Sequence, residues 1–375
     1  MAIPYGRQSI DESDVQAVVE VLHGDWLTTG PKVTSFERAI AATAGTPDAA
    51  VVSNGTAALH CAYAALGVGP GDEVVVTPLT FVATAATATL LGASVVFADV
   101  EEDTGNLDPR AVAAAITERT KAVAAVDFAG HPAEIDELLD VTRAVGAALL
   151  EDAAHSIAST YRGMPVGGLA DVTTFSFFPT KNLTSGEGGA VVSPDAGIVE
   201  RARRYAHHGT VRDRTAMRYP AEGDWYYEVE QLALNYRLPD VLCALGESQL
   251  ARIHAFKARR SDIFERYVDG LSDVDELRLP TRRAHTDPMW HLFPVRVPAE
   301  RRRAVFERLR ERGVNVQVNY VPVYWHPAYA DLGYRRGQCP VAEQYYREEI
   351  SLPMYADLSA ADQDYVIETL RGALE

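Results

Sequence analysis

The chain has 375 residues, of which 47% are hydrophobic and 23% charged, a composition typical of a globular protein with a buried core. The length predicts about two domains. A formal net charge of −17 argues against a nucleic-acid partner, because binding a phosphate backbone needs a basic surface.

The predicted elements begin with a helix from about Glu12, after which valines and Leu22 recur at helical spacing. Between residues 49 and 193, short apolar runs alternate with helical stretches such as residues 135–145. We predict strands here at residues 50–52, 73–77, 94–98, 122–126, 148–150, 172–176 and 190–193. This alternation predicts a mainly parallel sheet that is covered on both faces.

The pattern changes after about residue 250. It predicts a long helix over 248–271, a strand at 290–297, a basic amphipathic helix at 301–312, a strand at 315–320 and a final helix at 360–374. We therefore predict an α/β fold in two domains. The large domain, with the central sheet, covers residues 1–248, and a smaller C-terminal α+β domain covers residues 249–375.

Three segments carry candidate chemistry, and each follows a predicted strand, where ligand sites of open α/β sheets lie. The first is Ser53-Asn54-Gly55-Thr56-Ala57-Ala58, at the start of a helix. Its free backbone N–H groups and the positive end of the helix dipole suit a phosphate, and Thr56 adds a hydroxyl. The alternative is an Asn-Gly turn that only caps the helix.

The second segment is Glu151-Asp152-Ala153-Ala154-His155, after the strand at 148–150. A carboxylate at the end of a buried strand is costly unless it is paired. Asp152 is therefore a candidate to hold a positively charged pyridine nitrogen, with His155 beside the same ring. The alternative is that Asp152 caps a helix.

The third segment is Phe175-Ser176-Phe177-Phe178-Pro179-Thr180-Lys181-Asn182, followed by a glycine-rich turn. Lys181 lies among aromatic residues, where desolvation lowers the pKa of an amine and makes it a nucleophile for carbonyl groups. Ser176 is placed to bind a phosphate. A phosphate cradle, an acid for a pyridinium and an amine for a Schiff base are together what a pyridoxal-phosphate (PLP) enzyme requires.

In this order, SNGTAAL, EDAAHS, FSFFPTKN, GEGG and NYRLPD resemble the DegT/DnrJ/EryC/StrS family of PLP-dependent sugar aminotransferases, which has the aspartate-aminotransferase fold (fold type I). The match runs from IPYGRQSI at the N-terminus to VNYVPVYWHP and covers almost the whole chain. The resemblance implies that Lys181 carries the cofactor as a Schiff base and moves the proton. It places Asp152 on the ring nitrogen and His155 beside the ring hydroxyl.

The resemblance also implies phosphate contacts from Gly55, Thr56 and Ser176 and ring stacking by Phe81. It gives Asn235 a contact with the cofactor phosphate of a neighbouring subunit, which implies a homodimer with shared active sites. Candidates for the sugar pocket are Trp26, Thr28, Thr29, Gly30, Tyr320 and His326. Two arginines of a polar loop are candidates for the diphosphate, with a solvated loop as the alternative: Arg212 and Arg214.

Within the family, IPYGRQSIDESDVQAVVEVL, DFAGHPAEID and WYYEVEQLALNYRL resemble enzymes that aminate C4 of a UDP-linked 4-keto-6-deoxy-N-acetylhexosamine in pseudaminic acid biosynthesis. The lysine segment, FFPTKNLTSGEGG, resembles that of other nucleotide-sugar aminotransferases more closely than that of these C4 enzymes. Asn319 and Tyr324-Trp325 differ from the usual histidine and His-Leu at positions expected to face the sugar. We therefore expect L-glutamate as amino donor and C4 of a UDP- or dTDP-linked 4-keto-6-deoxyhexose as acceptor.

Other functions stay open or are disfavoured by particular residues. A cyclitol ketone as acceptor, or a regulator that keeps the fold without the chemistry, stays open. The dehydratase branch of the family has a histidine in place of Lys181. A nicotinamide enzyme is disfavoured because residues 67–71 contain proline and precede a strand. A metal site at His207-His208 is disfavoured because adjacent histidines on a strand point apart.

The cysteines form neither a CxxC pair nor a metal-finger spacing, so we expect reduced structural thiols in a cytoplasmic protein: Cys61, Cys243 and Cys339. The N-terminal residues lack the basic and apolar regions of a signal peptide. The longest apolar stretch, residues 82–98, is rich in Ala and Thr and is interrupted by Gly92. No membrane span is predicted from it.

Overall fold

The structure is a computed structural model that describes residues 2–220 and 222–375. The strands are β1 (Asp48–Val52), β2 (Glu73–Val76), β3 (Ser94–Phe97), β4 (Thr120–Val126), β5 (Ala148–Asp152), β6 (Thr160–Tyr161), β7 (Met164–Pro165), β8 (Val172–Ser176), β9 (Gly189–Ser193), β10 (Thr210–Val211), β11 (Glu228–Val229), β12 (Thr286–Asp287), β13 (Phe293–Arg296) and β14 (Glu349–Leu352). The helices are α1 (Glu12–His23), α2 (Pro31–Ala44), α3 (Gly55–Ala65), α4 (Ala83–Leu90), α5 (Pro109–Ala115), α6 (Ile135–Arg143), α7 (Ala196–Ala206), α8 (Asp240–Ala251), α9 (Ile253–Leu271), α10 (Arg302–Glu311), α11 (Pro327–Asp331), α12 (Pro340–Glu348) and α13 (Ala360–Leu374).

The central sheet has the strand order β1-β9-β8-β5-β4-β2-β3. Strand β9 pairs antiparallel with both β1 and β8, whereas the other neighbouring strands are parallel. Six strands therefore end at the same edge of the sheet. The predicted mainly parallel sheet is confirmed. Its seven strands are the seven predicted ones, and two of them, β2 and β3, end one residue earlier than predicted.

Both faces of this sheet are covered. Alternate residues of β4 divide between two apolar cores, as the two-residue period of a strand requires. Ala122 and Ala124 pack with α3 and α4 on one face, whereas Val123 and Ala125 pack with α6 on the other. Strands buried on both faces are apolar along their whole length, and this explains the continuous apolar runs in the sequence.

A further core is built from α9, β13, α10, β14 and α13. Ile3 belongs to it, and this residue bridges to Val314, so the N-terminal segment packs against the C-terminal part of the chain. The domain boundary at residues 248 and 249 stays a prediction. Among the helices that the structure describes, none combines the length and the apolarity needed to cross a membrane.

Two predicted elements differ from the structure. The helix expected over 248–271 is two helices, because Arg252 leaves the α-helical region with φ −103° and ψ 6°. The guanidinium group of Arg252 forms ion pairs with Asp11 and Asp14 of the N-terminal segment. The strand expected at 315–320 is reduced, in the described part of the chain, to one isolated bridge between Gln317 and Ser351, because the Asn319 N–H donates to the Glu349 carboxyl group at 2.7 Å rather than to a neighbouring strand.

Candidate active site

A cavity of 490 Å³ opens at the edge of the sheet where the parallel strands end. Val126 ends β4, Asp152 ends β5 and Ser176 ends β8, and all three residues line it. This edge is the usual ligand site of an open α/β sheet. Eight of the predicted site residues line the cavity: Gly55, Thr56, Phe81, Asp152, His155, Ser176, Lys181 and Tyr320.

Asp152 is a buried carboxyl group held by two donors. Its Oδ2 accepts from the Thr84 hydroxyl at 2.7 Å, and its Oδ1 accepts from the Ala154 N–H at 3.2 Å. Burial raises the pKa of Asp152, while these two donors and the Lys181 charge oppose the rise. Residues 153–158 form turns rather than a helix, so Asp152 caps no helix there. The oriented carboxylate suits a cationic partner inside the cavity.

Lys181 lies in the turn between β8 and β9, where its backbone N–H donates to the Phe178 carbonyl at 2.9 Å. Burial lowers the pKa of the Lys181 ammonium group to about 8, and the Asp152 carboxylate opposes this shift. A larger fraction of the amine is therefore neutral near physiological pH than in a solvated lysine. A neutral amine is the form that attacks a carbonyl carbon.

His155 follows Asp152 in the same turn and lies against His291, with ring centroids 4.4 Å apart. Burial lowers the pKa of His155 well below its usual range, and the Lys181 charge adds to this shift. The imidazole is therefore neutral at pH 7. Its Nε2 lies 3.2 Å from the Tyr320 hydroxyl, which reaches the cavity from the C-terminal part of the chain.

The first turn of α3 also lines the cavity, and its free backbone N–H groups suit an anion. Asn54 caps this helix by accepting from the Ala57 N–H at 2.8 Å. A Cβ at Gly55 would lie 2.8 Å from the Ser176 Cβ, so only glycine allows α3 and β8 to approach this closely. The first-turn N–H groups and the Ser176 hydroxyl therefore converge on one small region, as a phosphate requires.

Two buried polar atoms of the cavity bear on whether these residues fit PLP. Thr174 Oγ1 and His155 Nδ1 are buried, belong to lining residues and have no hydrogen-bond partner in the described part of the chain. The cavity also offers an amine for the aldehyde, a carboxylate for the ring nitrogen and an anion site for the phosphate. The residues present fit the cofactor.

A sequence model of the DegT/DnrJ/EryC1/StrS aminotransferase family matches residues 8–371. The chain belongs to this family. It is 39% identical to the spore coat polysaccharide biosynthesis protein SpsC of Bacillus subtilis, over 100% of this chain and 97% of that protein. It is 35% identical to the UDP-4-amino-4,6-dideoxy-N-acetyl-beta-L-altrosamine transaminase of Campylobacter jejuni, over 100% of this chain and 98% of that protein.

The solved structure of Spr1654 from Streptococcus pneumoniae in its PLP-form superimposes with a TM-score of 0.93. It is 30% identical and covers 100% of this chain and 98% of that one. The predicted family, the fold type I architecture and the class of PLP-dependent sugar aminotransferase are thereby confirmed.

Other predicted site residues lie outside the cavity of this single chain. Four of them lie before α2: Trp26, Thr28, Thr29 and Gly30. The first three are exposed, and the backbone N–H of Gly30 donates to the Asp240 carboxylate. His326 is exposed at the start of α11, and Asn235 is exposed with its side-chain oxygen on the Arg237 N–H. Their substrate and cofactor contacts stay predictions.

The side chains expected to face the sugar at positions 319 and 324 do not line the cavity. The Asn319 amide donates to the Tyr5 hydroxyl at 2.7 Å and to the Ser351 hydroxyl at 3.0 Å. Tyr324 is fully buried, with its hydroxyl on the Glu343 carboxylate at 2.8 Å. Both side chains are engaged in the packing of the C-terminal part of the chain, and their contact with the sugar stays a prediction.

Some residues at the site were missed in the sequence. Thr84 had a local signal, because Thr80, Thr84 and Thr87 recur at helical spacing in an otherwise Ala-rich stretch. Asn182 bonds the His155 and Met289 carbonyls at 2.7 and 2.8 Å, and its amide oxygen lies 3.2 Å from His291 Nδ1. Nothing local in the sequence connects residues so far apart along the chain.

Proposed function

We propose that this chain transfers the amino group of L-glutamate to C4 of a 4-keto-6-deoxyhexose that is linked to UDP or dTDP. The observation that carries the proposal is the placement of the Lys181 amine and the Asp152 carboxylate in one cavity that is also lined by the first turn of α3, which suits an anion. An amino donor and a keto acceptor then use the same site in turn.

In this proposal PLP supplies an aldehyde that the lysine can hold and a ring that accepts the electron pair released when a C–H bond ionises. The Thr84 hydroxyl and the Ala154 N–H orient the Asp152 carboxylate, whose negative charge then pairs with the positively charged ring nitrogen. Lys181 Nζ takes up and returns the proton as general base and acid. The neutral imidazole of His155 orients the ring hydroxyl.

The first turn of α3 and Ser176 hold the phosphate, and Phe81, with 61% of its surface exposed, stacks on the ring. The acceptor enters on the side of Tyr320. The 35% identity to a transaminase named for a UDP-linked 4-amino-4,6-dideoxy sugar supports a nucleotide-linked keto sugar as its class. Trp26, His326 and their predicted neighbours complete the sugar pocket in this proposal.

We also propose a homodimer in which Asn235 contacts the cofactor phosphate of the partner subunit. Asn235 is exposed and does not line the cavity of its own chain. Leu232 and Leu234, just before it in the chain, are 93% and 49% exposed, and exposed apolar side chains that are grouped in this way indicate a protein contact. All three cysteines are free and buried, which supports a cytoplasmic enzyme.

The acceptor is tested by incubating the PLP-loaded protein with L-glutamate and one ketone at a time. The panel is a UDP-linked and a dTDP-linked 4-keto-6-deoxyhexose and a cyclitol ketone. We expect 2-oxoglutarate and an aminated sugar nucleotide, and neither product with Lys181→Ala. Amination of the cyclitol alone would contradict the proposed acceptor. No amination of any ketone would favour a regulator.

The shared site is tested by mixing two inactive variants, Lys181→Ala and Asn235→Ala, after brief unfolding and refolding. A mixed dimer contains one site with both intact residues, so about a quarter of the wild-type activity should return. If each site used its own Asn235, the mixture would stay inactive.

A further inference from the structure

Two carboxyl groups lie buried beneath the site on the face of the sheet away from the cavity. Glu151 precedes Asp152 on β5 and therefore points to the opposite face. Asp127 follows β4, and both side chains are 0% exposed. Strands β4 and β5 are neighbours, with Ala125 opposite Glu151, so the two side chains lie close together on this face, and each shifts the pKa of the other. Two ionised carboxylates in such a place would repel each other strongly.

The donors around the pair differ for its two members. Asp127 Oδ1 accepts from the Ala133 N–H at 2.9 Å, and its Oδ2 accepts from the Ser156 hydroxyl at 2.5 Å. Both Asp127 oxygens thus act as acceptors, as a carboxylate does. Glu151 Oε2 accepts from the Thr173 hydroxyl at 2.9 Å, whereas Oε1 has no donor in the described part of the chain. Glu151 is therefore the member with an oxygen left to carry a proton.

We propose that Glu151 is a buried acid that keeps its proton at neutral pH, donates it to the Asp127 carboxylate, and so positions the turn that presents Asp152 and His155. Asp127 contacts this turn at two points. Its backbone N–H donates to the Asp152 carbonyl at 3.2 Å, and its carboxylate holds Ser156, the residue after His155. Asp127 and Glu151 are positioning residues, because neither lines the cavity.

The proton that Glu151 and Asp127 share also sets the net charge of this pair, which lies beneath Asp152. Asp152 is the third carboxyl group of this cluster, and its negative charge acts on Asp127. One shared proton leaves the pair with a single negative charge, so Asp152 stays available as the carboxylate that faces the cavity. The other groups that face the pair are the Ser156 and Thr173 hydroxyls and backbone N–H groups, while Lys181 acts on Asp152 from the cavity side.

The pair makes the stability of the cofactor-free protein depend on pH. Burial raises the pKa of both Glu151 and Asp127 above the values of an unfolded chain. Above about pH 4 the pair therefore binds more protons in the folded state than in the unfolded chain, and its contribution to stability falls as the pH rises through the folded-state pKa values. Replacing Glu151 by glutamine removes the proton that titrates, so the free energy of unfolding should depend less on pH in this range.

The test compares two isosteric variants that each remove one carboxyl group, Glu151→Gln and Asp127→Asn. In Glu151→Gln an amide N–H replaces the acid O–H toward Asp127. We expect it to fold, to keep its dissociation constant for PLP within about threefold of wild type, and to show a flatter pH profile of unfolding. In Asp127→Asn one of the two accepting oxygens becomes an NH₂ group, so a single oxygen is left for the Ala133 N–H, the Ser156 hydroxyl and the Glu151 acid, and PLP affinity should fall about tenfold or more.

A direct readout is the infrared carbonyl stretch of a protonated carboxylic acid in the cofactor-free protein at pH 7. We expect a band that Glu151→Gln loses. The proposal is overturned if no such band is lost, if Glu151→Gln loses as much PLP affinity as Asp127→Asn, or if Glu151→Gln does not fold. The infrared and unfolding readouts need no substrate, so a failure of the proposed function would leave them unchanged.

Discussion

The Thr84 hydroxyl offers the sharpest test of how the ring nitrogen is held. Thr84 Oγ1 donates to Asp152 Oδ2 at 2.7 Å, and these side chains are 1% and 5% exposed. Thr84→Val removes the donor and keeps the shape of the side chain. A buried carboxylate then loses one of two donors, and the ionised form that pairs with a ring nitrogen becomes less stable.

The magnitude follows from the kind of hydrogen bond. A hydrogen bond to a charged group contributes about 1.5–3 kcal/mol, so PLP affinity should fall about 10- to 100-fold. Equilibrium titration of the cofactor-free protein with PLP, followed by absorbance, measures this change. Thermal unfolding of the same samples shows whether the fold is kept.

Thr87→Val is the matched control on the same helix. Thr87 is 1% exposed, and its hydroxyl donates only to the Ala83 carbonyl within α4, at 2.8 Å. The substitution should change PLP affinity less than about threefold. Equal affinity losses in the two variants would show that the Thr84 hydroxyl does not act through Asp152, because the loss would then come from a change in the helix.

Three other predictions concern the anion site, the lysine and Tyr320. Gly55→Ala should weaken binding of PLP and of inorganic phosphate, because its Cβ would lie 2.8 Å from the Ser176 Cβ; Gly69→Ala, whose Cβ meets nothing within 4 Å, should not. Burial lowers the pKa of Lys181 to about 8, so above that pH this lysine binds more protons in the unfolded chain than in the folded one. The cofactor-free protein should therefore gain at most about 3 kcal/mol of stability between about pH 8 and 10. Lys181→Met should remove that gain in denaturant titrations, and parallel pH profiles would contradict the assignment. Tyr320→Phe removes the hydroxyl 3.2 Å from His155 and should lower kcat/KM about 2- to 10-fold; an unchanged value would exclude a role for that contact.

The sheet could be predicted because its strands are buried on both faces. Runs such as residues 122–126 are apolar without interruption, and local sequence shows this directly. The strand predicted at 315–320, where polar and apolar residues alternate, is wrong, because a strand also needs a partner in register. The position of Glu349 opposite Asn319 decides this, and no local pattern reports it.

The same limit applies to the site. Asp152 and Lys181 follow strands and could be identified as candidates from their position and neighbours. The side chains that orient them come from other elements: Thr84 reaches Asp152 across 68 positions of sequence, and His291 reaches Asn182 across 109. Only folding brings these groups together. Glu151 lies in EDAAHS and Asp127 begins DFAGHPAEID, but nothing local in the sequence shows that these two side chains are partners.

The proposal that Lys181 carries the cofactor is tested directly by borohydride reduction of the PLP-loaded protein, followed by digestion and mass spectrometry. We expect a pyridoxyl group on Lys181 and none in Lys181→Ala. The other lysines do not line the cavity: Lys32, Lys121 and Lys257. A stoichiometric label on one of them, or no label on the loaded wild type, would show that Lys181 does not carry the cofactor.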